Sequence, residues 1–307
     1  MNLHRYLIHG YRYLTLPLRQ QMLAKMKRNG TVPVGILFYH RVDDFHLNPW
    51  TITNDRFQEH ISWLEKNFDL VSLEEAQRRI RSGYNDRPTI SLTFDDGYAD
   101  NCTCALPTLI QKGIPVTYFV TTKHTLQNQP FDHDVDNGQP LETNNKDMLR
   151  SLHRAGVEIG AHTKTHPDLG KIRNDHILFD EVVGSKYMLE ESIGCRVRYF
   201  AFPFGQHENL NQQVFQICRD NGFEAVCSAY GGWNEIGGDD FHLQRFHGDY
   251  RTAWMQNWLT LDPRKRKVKR FEYQLRDKSP KSTEQKSNPF PVIDSNLSAT
   301  STNEPQV

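Results

Sequence analysis

The sequence predicts an α/β fold built on a largely parallel β-sheet. From about Pro33 onward, short apolar runs rich in β-branched residues alternate with longer stretches of helical periodicity, which is the order of elements in βα-repeat domains. Four of the helical stretches end at a glycine that leads into the next apolar run: Gly113, Gly156, Gly194 and Gly222. Glycine tolerates the left-handed conformation that commonly ends a helix, so these positions mark helix C-termini.

The predicted elements follow one another at regular spacing. The predicted strands are 34–39, 89–94, 116–120, 157–161, 199–202, 224–228 and 243–246. The predicted helices are 57–66, 73–81, 104–112, 148–154, 176–193 and 210–221. The polar stretch 127–145 is predicted to be a long loop, and long ordered loops often carry function.

Length and composition indicate one sizeable domain with tails. The chain has 307 residues, of which 37% are hydrophobic, enough for a domain of about 200 to 250 residues. The formal net charge is zero, so the charge balance gives no indication of a nucleic-acid partner. The five cysteines form no CxxC pair and are odd in number, which argues against a zinc–thiolate site and against a disulfide framework.

Residues 1–30 form a basic amphipathic segment without Asp or Glu. This pattern fits a helix packed on the domain about as well as peripheral contact with an anionic membrane. The segment lacks the continuous apolar run of a signal peptide, and the chain has no run of about 18 apolar residues that would predict a transmembrane helix. We therefore expect a cytoplasmic protein, with the membrane surface as an open alternative.

The predicted catalytic domain covers residues 31–262. Residues 263–307 begin with a run of Lys and Arg, and from about residue 278 the chain is rich in Ser, Thr, Asn, Gln and Pro. Such a composition has too little apolar content to offset the entropy lost on ordering. We predict a C-terminal tail that is first basic and then disordered.

Three polar clusters follow predicted strands, and the first is a pair of carboxylates. Asp95, Asp96 and Gly97 come directly after strand 89–94. Consecutive residues that leave a strand point in different directions, so one carboxylate can bind a cation while its neighbour faces a substrate. Asp and Gly are also common in ordinary turns, so this cluster alone does not distinguish the two interpretations.

The second cluster supplies imidazoles. His162 and His166 follow strand 157–161, and on a helical turn the side chains at i and i+4 lie on one face, within reach of one metal ion. Two imidazoles and one carboxylate around an open coordination position form a hydrolytic metal site. Zinc is the expected ion, with Co²⁺ or Ni²⁺ as alternatives.

The third cluster is Phe200 to Gly205, an apolar strand that ends in Pro-Phe-Gly. Such an end can present a backbone N–H and an aromatic wall to a ligand. A tight turn after a core strand explains the same pattern.

Taken together, these motifs resemble those of the polysaccharide deacetylase family, the NodB-like carbohydrate esterases. The resemblance covers about 33–259 and rests on TFDDGY at 93–98, HTKTH at 162–166 and FAFPFG at 200–205, with YHRV at 39–42 and LQRFHGD at 243–249 in support. The FAFPFG form resembles the branch that deacetylates poly-N-acetylglucosamine. The resemblance implies a distorted (β/α)7-type barrel, the NodB homology domain.

The resemblance also implies roles for single residues. Asp95 is similar to the general base, and Asp96, His162 and His166 are similar to the metal-binding triad. Phe204 stands at the position whose backbone N–H helps to stabilise an oxyanion.

This chain departs from the family pattern in the residue that orients the base. The family often has an arginine that orients the base two residues before the proline of the third motif, where this chain has Ala201. Arg245 is our candidate for that task, with a surface ion pair to Asp249 or Asp240 as the alternative. Arg245 lies two residues before His247, a strand spacing that sends both side chains to the same face.

The general acid is expected to be His247, with His242 as the competing candidate. His40 follows the first strand and is expected either at the rim of the site or buried with a backbone hydrogen bond.

The expected function is the metal-dependent removal of N-acetyl groups from N-acetylglucosamine-type saccharides. One alternative keeps this chemistry and changes the substrate to a lipid-linked amino sugar that is deacetylated or deformylated. The other is a carbohydrate-binding relative without catalysis, against which the intact set of base and ligands argues. The sequence leaves the sugar, the physiological metal and the oligomeric state open.

Overall fold

A computed structural model describes residues 3–248, 251–266 and 268–276. The strands are β1 Val34–Tyr39, β2 Arg41–Val42, β3 Thr51–Ile52, β4 Asp69–Val71, β5 Thr89–Phe94, β6 Val116–Val120, β7 Glu158–Ala161, β8 Tyr199–Ala201, β9 Ala225–Cys227, β10 His242–Leu243 and β11 Phe246–His247. The α-helices are α1 Leu3–Asn29, α2 Asn54–Asn67, α3 Leu73–Ser82, α4 Ala105–Gln111, α5 Thr122–Gln127, α6 Asp132–Asp136, α7 Lys146–Arg154, α8 Asp175–Phe179, α9 Ser185–Ile193, α10 Gln212–Asp220, α11 Thr252–Leu259 and α12 Pro263–Arg266. A π-helical segment, Asp180–Gly184, joins α8 to α9.

The main sheet is parallel and curled. Its strand order is β10-β9-β8-β7-β6-β5-β1-β11, with β4 beside β5, and each of these pairings is parallel. The two end strands of this order are neighbours in the chain, because only Gln244 and Arg245 separate β10 from β11. The segment 242–247 therefore joins both edges of the sheet, and the predicted α/β fold with a barrel-like parallel sheet is confirmed.

The two faces of the strands belong to different layers of the core. In β1, Leu37 and Tyr39 pack in the large cluster beneath the surrounding helices, whereas Val34 and Ile36 pack in a second cluster. This second cluster also contains Phe119 of β6 and lies on the inner face of the curled sheet. All residues of β1, β5 and β6 are buried, as expected for parallel strands that are covered on both faces.

Helices pack against the sheet through an apolar stripe, α2 on the outer cluster and α3 on the inner one. In α2 the buried residues are Phe57, His60, Ile61 and Leu64, the i, i+3, i+4, i+7 spacing of one helix face. Helix α3 begins at the N-cap Ser72, whose side chain accepts from the Glu75 N–H, and ends at the left-handed Gly83. Local capping and periodicity thus agree with the tertiary packing.

Three predicted elements differ from the structure. The predicted strand 243–246 is two strands of two residues each, because its halves pair with opposite edges of the sheet. The predicted helix 176–193 is interrupted by the π-helical segment. The predicted loop 127–145 contains α6, and its residues Phe131 and Leu141 form a small apolar cluster with Tyr98. This stretch therefore packs on the domain.

The N-terminal helix α1 is anchored to α11 by a buried cation. The Arg19 side chain is only 2% exposed and donates to the Asn257 carbonyl and Oδ1 at 2.7 and 2.9 Å and to Thr260 Oγ1 at 3.1 Å. Arg12 donates to Gln256 Oε1 about two turns earlier on α1. The structure therefore agrees with a helix packed on the domain.

The opposite face of α1 exposes apolar side chains. Leu7, Leu14 and Leu18 are 60%, 81% and 60% exposed. Contact of this face with a membrane surface stays an untested prediction. Within the described ranges, none of the helices combines the length and the apolar content needed to cross a bilayer.

The packed structure continues beyond the predicted domain end at residue 262. The ring of Phe215 on α10 stacks on Phe271 and Tyr273, with centroids 5.5 and 4.1 Å apart, and Tyr273 donates to Asp239. The basic run at 264–270 was predicted to begin the tail, but it leads into these contacts. The segment predicted to be disordered, 278–307, lies outside the described residues.

We predict that Arg19→Met destabilises the protein. The substitution keeps the apolar stem but leaves carbonyl and amide oxygens of α11 without their donor, which costs about 2 kcal/mol of unfolding free energy and about 4 to 8 °C in melting temperature. Thermal unfolding followed by circular dichroism measures the change. Lys25→Met, on the exposed part of the same helix, is the control and should change little; equal melting temperatures for the two variants would contradict the anchoring role.

Candidate active site

The first carboxylate, Asp95, lies at the carboxyl end of β5. Its backbone N–H bonds to the Tyr39 carbonyl and continues the ladder with β1. Asp95 has the same strand parity as Ser91 and Thr93, so it extends the inner face of the sheet. Its carboxylate forms a bidentate pair with Arg245, with both nitrogen–oxygen distances at 2.7 Å. The contact predicted between these two residues is therefore present.

The Arg245 guanidinium is enclosed inside the sheet. It has no exposed surface, and it also donates to the Ser228 carbonyl at 3.0 Å and to Thr93 Oγ1 at 3.1 Å. The rings of Phe38 and Phe119 lie 4.7 and 5.3 Å from its central carbon. Burial acts to lower the pKa of Arg245, but the charge and hydrogen bonds of Asp95, together with other nearby groups, outweigh burial and the pKa is raised. The alternative prediction was a surface ion pair of Arg245 with Asp249 or Asp240. It is wrong for Asp240, which pairs with Arg81. Asp249 lies outside the described residues.

The second carboxylate, Asp96, turns away from its neighbour because its backbone is left-handed, with φ at 75°. Asp96 is 5% exposed, and its Oδ1 lies 3.3 Å from Nε2 of both His162 and His166. Burial acts to raise the pKa of Asp96, but these imidazoles lower it well below its ordinary value. The turn thus separates an inward carboxylate from one that faces two histidines.

His162 is oriented by the backbone of a neighbouring strand. Its Nδ1 lies 2.8 Å from the Ala201 carbonyl, and because a carbonyl can only accept, Nδ1 carries the proton. In the neutral ring, Nε2 is then an acceptor that faces the acceptor Oδ1 of Asp96. Two facing acceptors repel each other unless a cation lies between them.

His166 reaches the same point from a loop, so the predicted helical turn is wrong. Thr163 and His166 are left-handed, with φ at 64° and 63°, and the loop bends back on itself. Glu181 holds it: one carboxylate oxygen accepts from the N–H groups of Lys164 and Thr165 at 3.0 and 2.9 Å, and the other accepts from Thr165 Oγ1 at 2.6 Å. Burial lowers the pKa of His166, although Asp96 opposes this effect.

These three side chains fit a metal ion. Asp96, His162 and His166 each offer one ligand atom, and the three atoms lie within 4.8 Å of one another. Asp96 Oδ1 is buried, and within the described part of the chain it meets no donor with hydrogen-bond geometry. A buried acceptor without a donor is costly, and a cation bound by all three groups would remove both this cost and the repulsion between acceptors.

The histidine candidates for the acid occupy different environments. His247 is half-buried at the end of β11, and its ring lies 4.7 Å from Phe38 and 5.4 Å from His40. Arg245 lies over the same Phe38 ring, so the two residues share a face as predicted. His242 is fully buried, bonds to Ser228 Oγ, and burial lowers its pKa to about 3. His247 is therefore the better placed candidate. His40 is half-buried, and its ring lies 5.4 Å from the rings of Phe38 and His247.

Phe204 has an unusual backbone at the end of β8. Its φ is 60°, its side chain is 57% exposed, and its ring lies 5.1 Å from that of His166. Gly205 is needed beside it, because a Cβ there would lie 2.7 Å from the Ala229 backbone nitrogen. None of the described residues accepts a hydrogen bond from the Phe204 N–H, which leaves this donor available to a ligand.

Sequence reasoning missed two residues that shape this site. Glu181 holds the His166 loop from the π-helical segment, 16 and 17 residues along the chain from the two backbone N–H groups that it accepts from. No local pattern around it differs from a solvated helix face. Phe131 stacks on His124 at 4.2 Å and meets the edge of His166 at 5.5 Å. Phe131 is one of the few apolar residues in the polar stretch 127–145, and this was the available sign that it packs on the domain.

Comparisons with known proteins agree with this arrangement. Residues 82–226 match the sequence profile of the polysaccharide deacetylase family, so the resemblance predicted from the motifs is confirmed. The putative polysaccharide deacetylase YxkH of Bacillus subtilis is 22% identical over 205 residues, which make up 66% of each chain. This chain spans between 28% and 66% of the length of YxkH and two further curated relatives that it matches.

Solved structures show the same fold. IcaB from Ammonifex degensii superposes with a TM-score of 0.62 and 20% identity over 74% of this chain and 97% of that one. The Streptococcus pyogenes deacetylase PplD has a TM-score of 0.61 and 20% identity over 74% of this chain and 99% of that one. At 20% identity, the similarity to these two structures shows the fold alone.

We predict that Glu181→Gln weakens metal binding. The amide cannot accept from both backbone N–H groups and Thr165 as the carboxylate does, so the His166 loop loses its fixed position and Zn²⁺ affinity falls by about tenfold or more. Isothermal titration with Zn²⁺ measures this. Asp180→Asn is the matched control, since Asp180 only pairs with Lys164 Nζ at the surface; an equal loss in both variants would contradict the role of Glu181.

Proposed function

We propose that this protein, which carries the polysaccharide deacetylase domain over residues 82–226, is a metal-dependent hydrolase that removes N-acetyl groups from N-acetylglucosamine-type saccharides. One observation carries the proposal: a carboxylate fixed by a buried arginine lies directly beside a second carboxylate that faces two imidazoles. The residues are Asp95 with Arg245, and Asp96 with His162 and His166. Such a pairing provides a base next to a cation site, as amide hydrolysis requires.

Asp96, His162 and His166 would hold the metal. Zn²⁺ is the ion that best suits two neutral imidazoles and one carboxylate, with Co²⁺ or Ni²⁺ as alternatives. When bound, such an ion polarises the acetyl carbonyl and makes water more acidic. The hydrogen bond from His162 Nδ1 to Ala201 keeps Nε2 free to be the ligand atom.

Asp95 would act as the general base. Its two oxygens accept charge-assisted hydrogen bonds from Arg245. The two hydrogen bonds also fix the plane of the carboxylate. In the proposed reaction Asp95 takes a proton from water as the water oxygen adds to the acetyl carbon. A protein that only binds carbohydrate has no need of a base held in this way.

Phe204 and His247 would complete the reaction. The Phe204 N–H donates to the oxygen that becomes negative when water adds, and loss of one such donor in comparable sites costs about 100 to 1000-fold in rate. His247 donates a proton to the amide nitrogen as the bond between carbon and nitrogen breaks. The products are acetate and the free amino sugar.

The direct test measures acetate release from N-acetylglucosamine oligomers. We expect activity with about one divalent ion bound per chain, loss of activity on chelation and recovery with Zn²⁺. Asp95→Asn should keep the metal and lose nearly all turnover, whereas His162→Ala should lose both. Elemental analysis of each variant measures the metal independently of activity.

Two results would contradict the assignment. Full activity in excess chelator, with no metal found, would exclude the metal mechanism. Loss of the metal in Asp95→Asn but not in Asp96→Asn would show that base and ligand have been assigned the wrong way round.

We further predict that Arg245→Met moves the acidic limb of the pH–rate profile to higher pH and lowers the maximal rate while metal stays bound. Without the guanidinium, the ionised carboxylate loses its partner, so a higher pH is needed to form the base. Arg245→Lys should restore part of the shift, because it keeps the charge and loses the bidentate geometry. Arg81→Met, which removes a surface arginine, is the control; an unchanged acidic limb in Arg245→Met would refute the orienting role.

A further inference from the structure

A cavity of about 710 Å³ lies beside His247. It opens between the end of β11, helix α11 and the segment that follows β9. Its lining is aromatic and basic: Gln206, Ala229, Tyr230, Gly231, Phe246, His247, Arg251, Trp254, Trp258 and Lys265. Because His247 is the proposed acid, a saccharide with its acetamide at the base and metal site would extend a neighbouring group into this cavity.

The charged side chains that line the cavity are basic as far as the described residues show. Arg251 and Lys265 line it, and no Asp or Glu is among the described residues of the lining. Lys265 is half-buried, and among the described residues no carboxylate lies within ion-pair distance of its Nζ; its contact is with the Trp258 ring, 4.9 Å from the centroid. Burial lowers the pKa of Lys265, although Asp262 opposes the effect.

The backbone leaves room for this ammonium. A Cβ at Gly231 would lie 2.8 Å from Lys265 Nζ, and Gly231 is left-handed with φ at 79°. A side chain at this position would therefore displace the charge. A half-buried ammonium that lies over an aromatic ring, and that forms no ion pair within the described part of the chain, is placed to bind an anionic ligand.

The cavity walls suit a sugar. The Trp254 and Trp258 rings lie 5.9 Å apart in an edge arrangement, and Tyr230 also lines the cavity. Aromatic walls with a few convergent polar groups are the common construction of small-molecule sites. An apolar ring face can pack on these walls while a charged substituent meets Lys265 and Arg251.

We propose that this cavity is a subsite for an anionic group, a phosphate or a carboxylate, carried by the saccharide next to the acetamido sugar that is hydrolysed. The inference rests on the proposed function, because the reacting sugar is placed by the base and the metal ligands. Lysine and arginine both form charge-assisted hydrogen bonds to phosphate and carboxylate oxygens. The substrate is then an acidic N-acetylated saccharide instead of a neutral homopolymer.

The test compares substrates that differ only in charge. The probes are diacetylchitobiose, its 1-phosphate, and a disaccharide of N-acetylglucosamine and glucuronate, with the corresponding glucose disaccharide as the neutral match. We expect kcat/KM to be about tenfold or more higher for the anionic member of each pair, mainly through KM, because one charge-assisted contact contributes this much. Comparing the phosphate with the uronate shows which anion the subsite prefers.

Lys265→Met should bring the ratio of anionic to neutral kcat/KM towards one, and Lys146→Met, an exposed lysine elsewhere, should leave the ratio as in the unaltered protein. Equal kcat/KM for the anionic and the neutral substrate in both pairs would overturn the subsite. So would an equal fall of kcat/KM for both substrates of a pair in Lys265→Met. Calorimetric binding of the same probes separates the two proposals. If no probe is hydrolysed but the 1-phosphate still binds in a Lys265-dependent manner, the subsite stands and the deacetylase function fails; absence of such binding overturns the subsite.

Discussion

The buried ion pair between Arg245 and Asp95 is the interaction on which the site depends. Arg245 lies on the two-residue link between β10 and β11, which pair with opposite edges of the sheet. A guanidinium enclosed in this place requires a counter-charge, since breaking a buried pair by removal of one partner costs about 3 to 5 kcal/mol. This one contact therefore links the segment where the two sheet edges meet to the position of the proposed base. Its contribution is to geometry more than to stability, because desolvation of both ions offsets much of their attraction.

Strained backbone surrounds this contact. Asp96, Thr163, His166 and Phe204 are all left-handed without being glycine, and each such residue costs on the order of 1 to 3 kcal/mol. The surrounding structure holds them through Glu181, through backbone bonds of Thr121 and Thr122 to Asp96 and Thr163, and through the close approach of Gly205 to Ala229. A site built from strained turns on a rigid sheet keeps its side chains preorganised for reaction.

Position 201 shows how backbone and side chain can serve separate purposes. The carbonyl of Ala201 accepts from His162 Nδ1, a contact that any residue could make there. The cation that the family resemblance led us to expect on the side chain at this position comes instead from Arg245, across the inner face of the sheet. The proposed ligand and the proposed base are thus both oriented although the local motif lacks that arginine. The Asp95 carboxylate needs a cation beside it, and an arginine at more than one position in the chain can supply that cation.

The sequence by itself determined the elements and the chemistry of the motifs. Strands β1, β5 and β6 were predicted at their observed bounds, since continuous apolar runs and glycine helix ends are local signals. Asp95, Asp96, His162 and His166 were identified because each follows a strand, and parallel strands bring their carboxyl ends together. The tertiary structure alone decided what depends on contacts between distant residues. It split the last strand between two sheet edges, folded the His162 to His166 segment into a loop instead of a helical turn, and brought Glu181 onto that loop. It also buried His242 while leaving His247 at the site, because burial is a property of the packed chain and not of the residue.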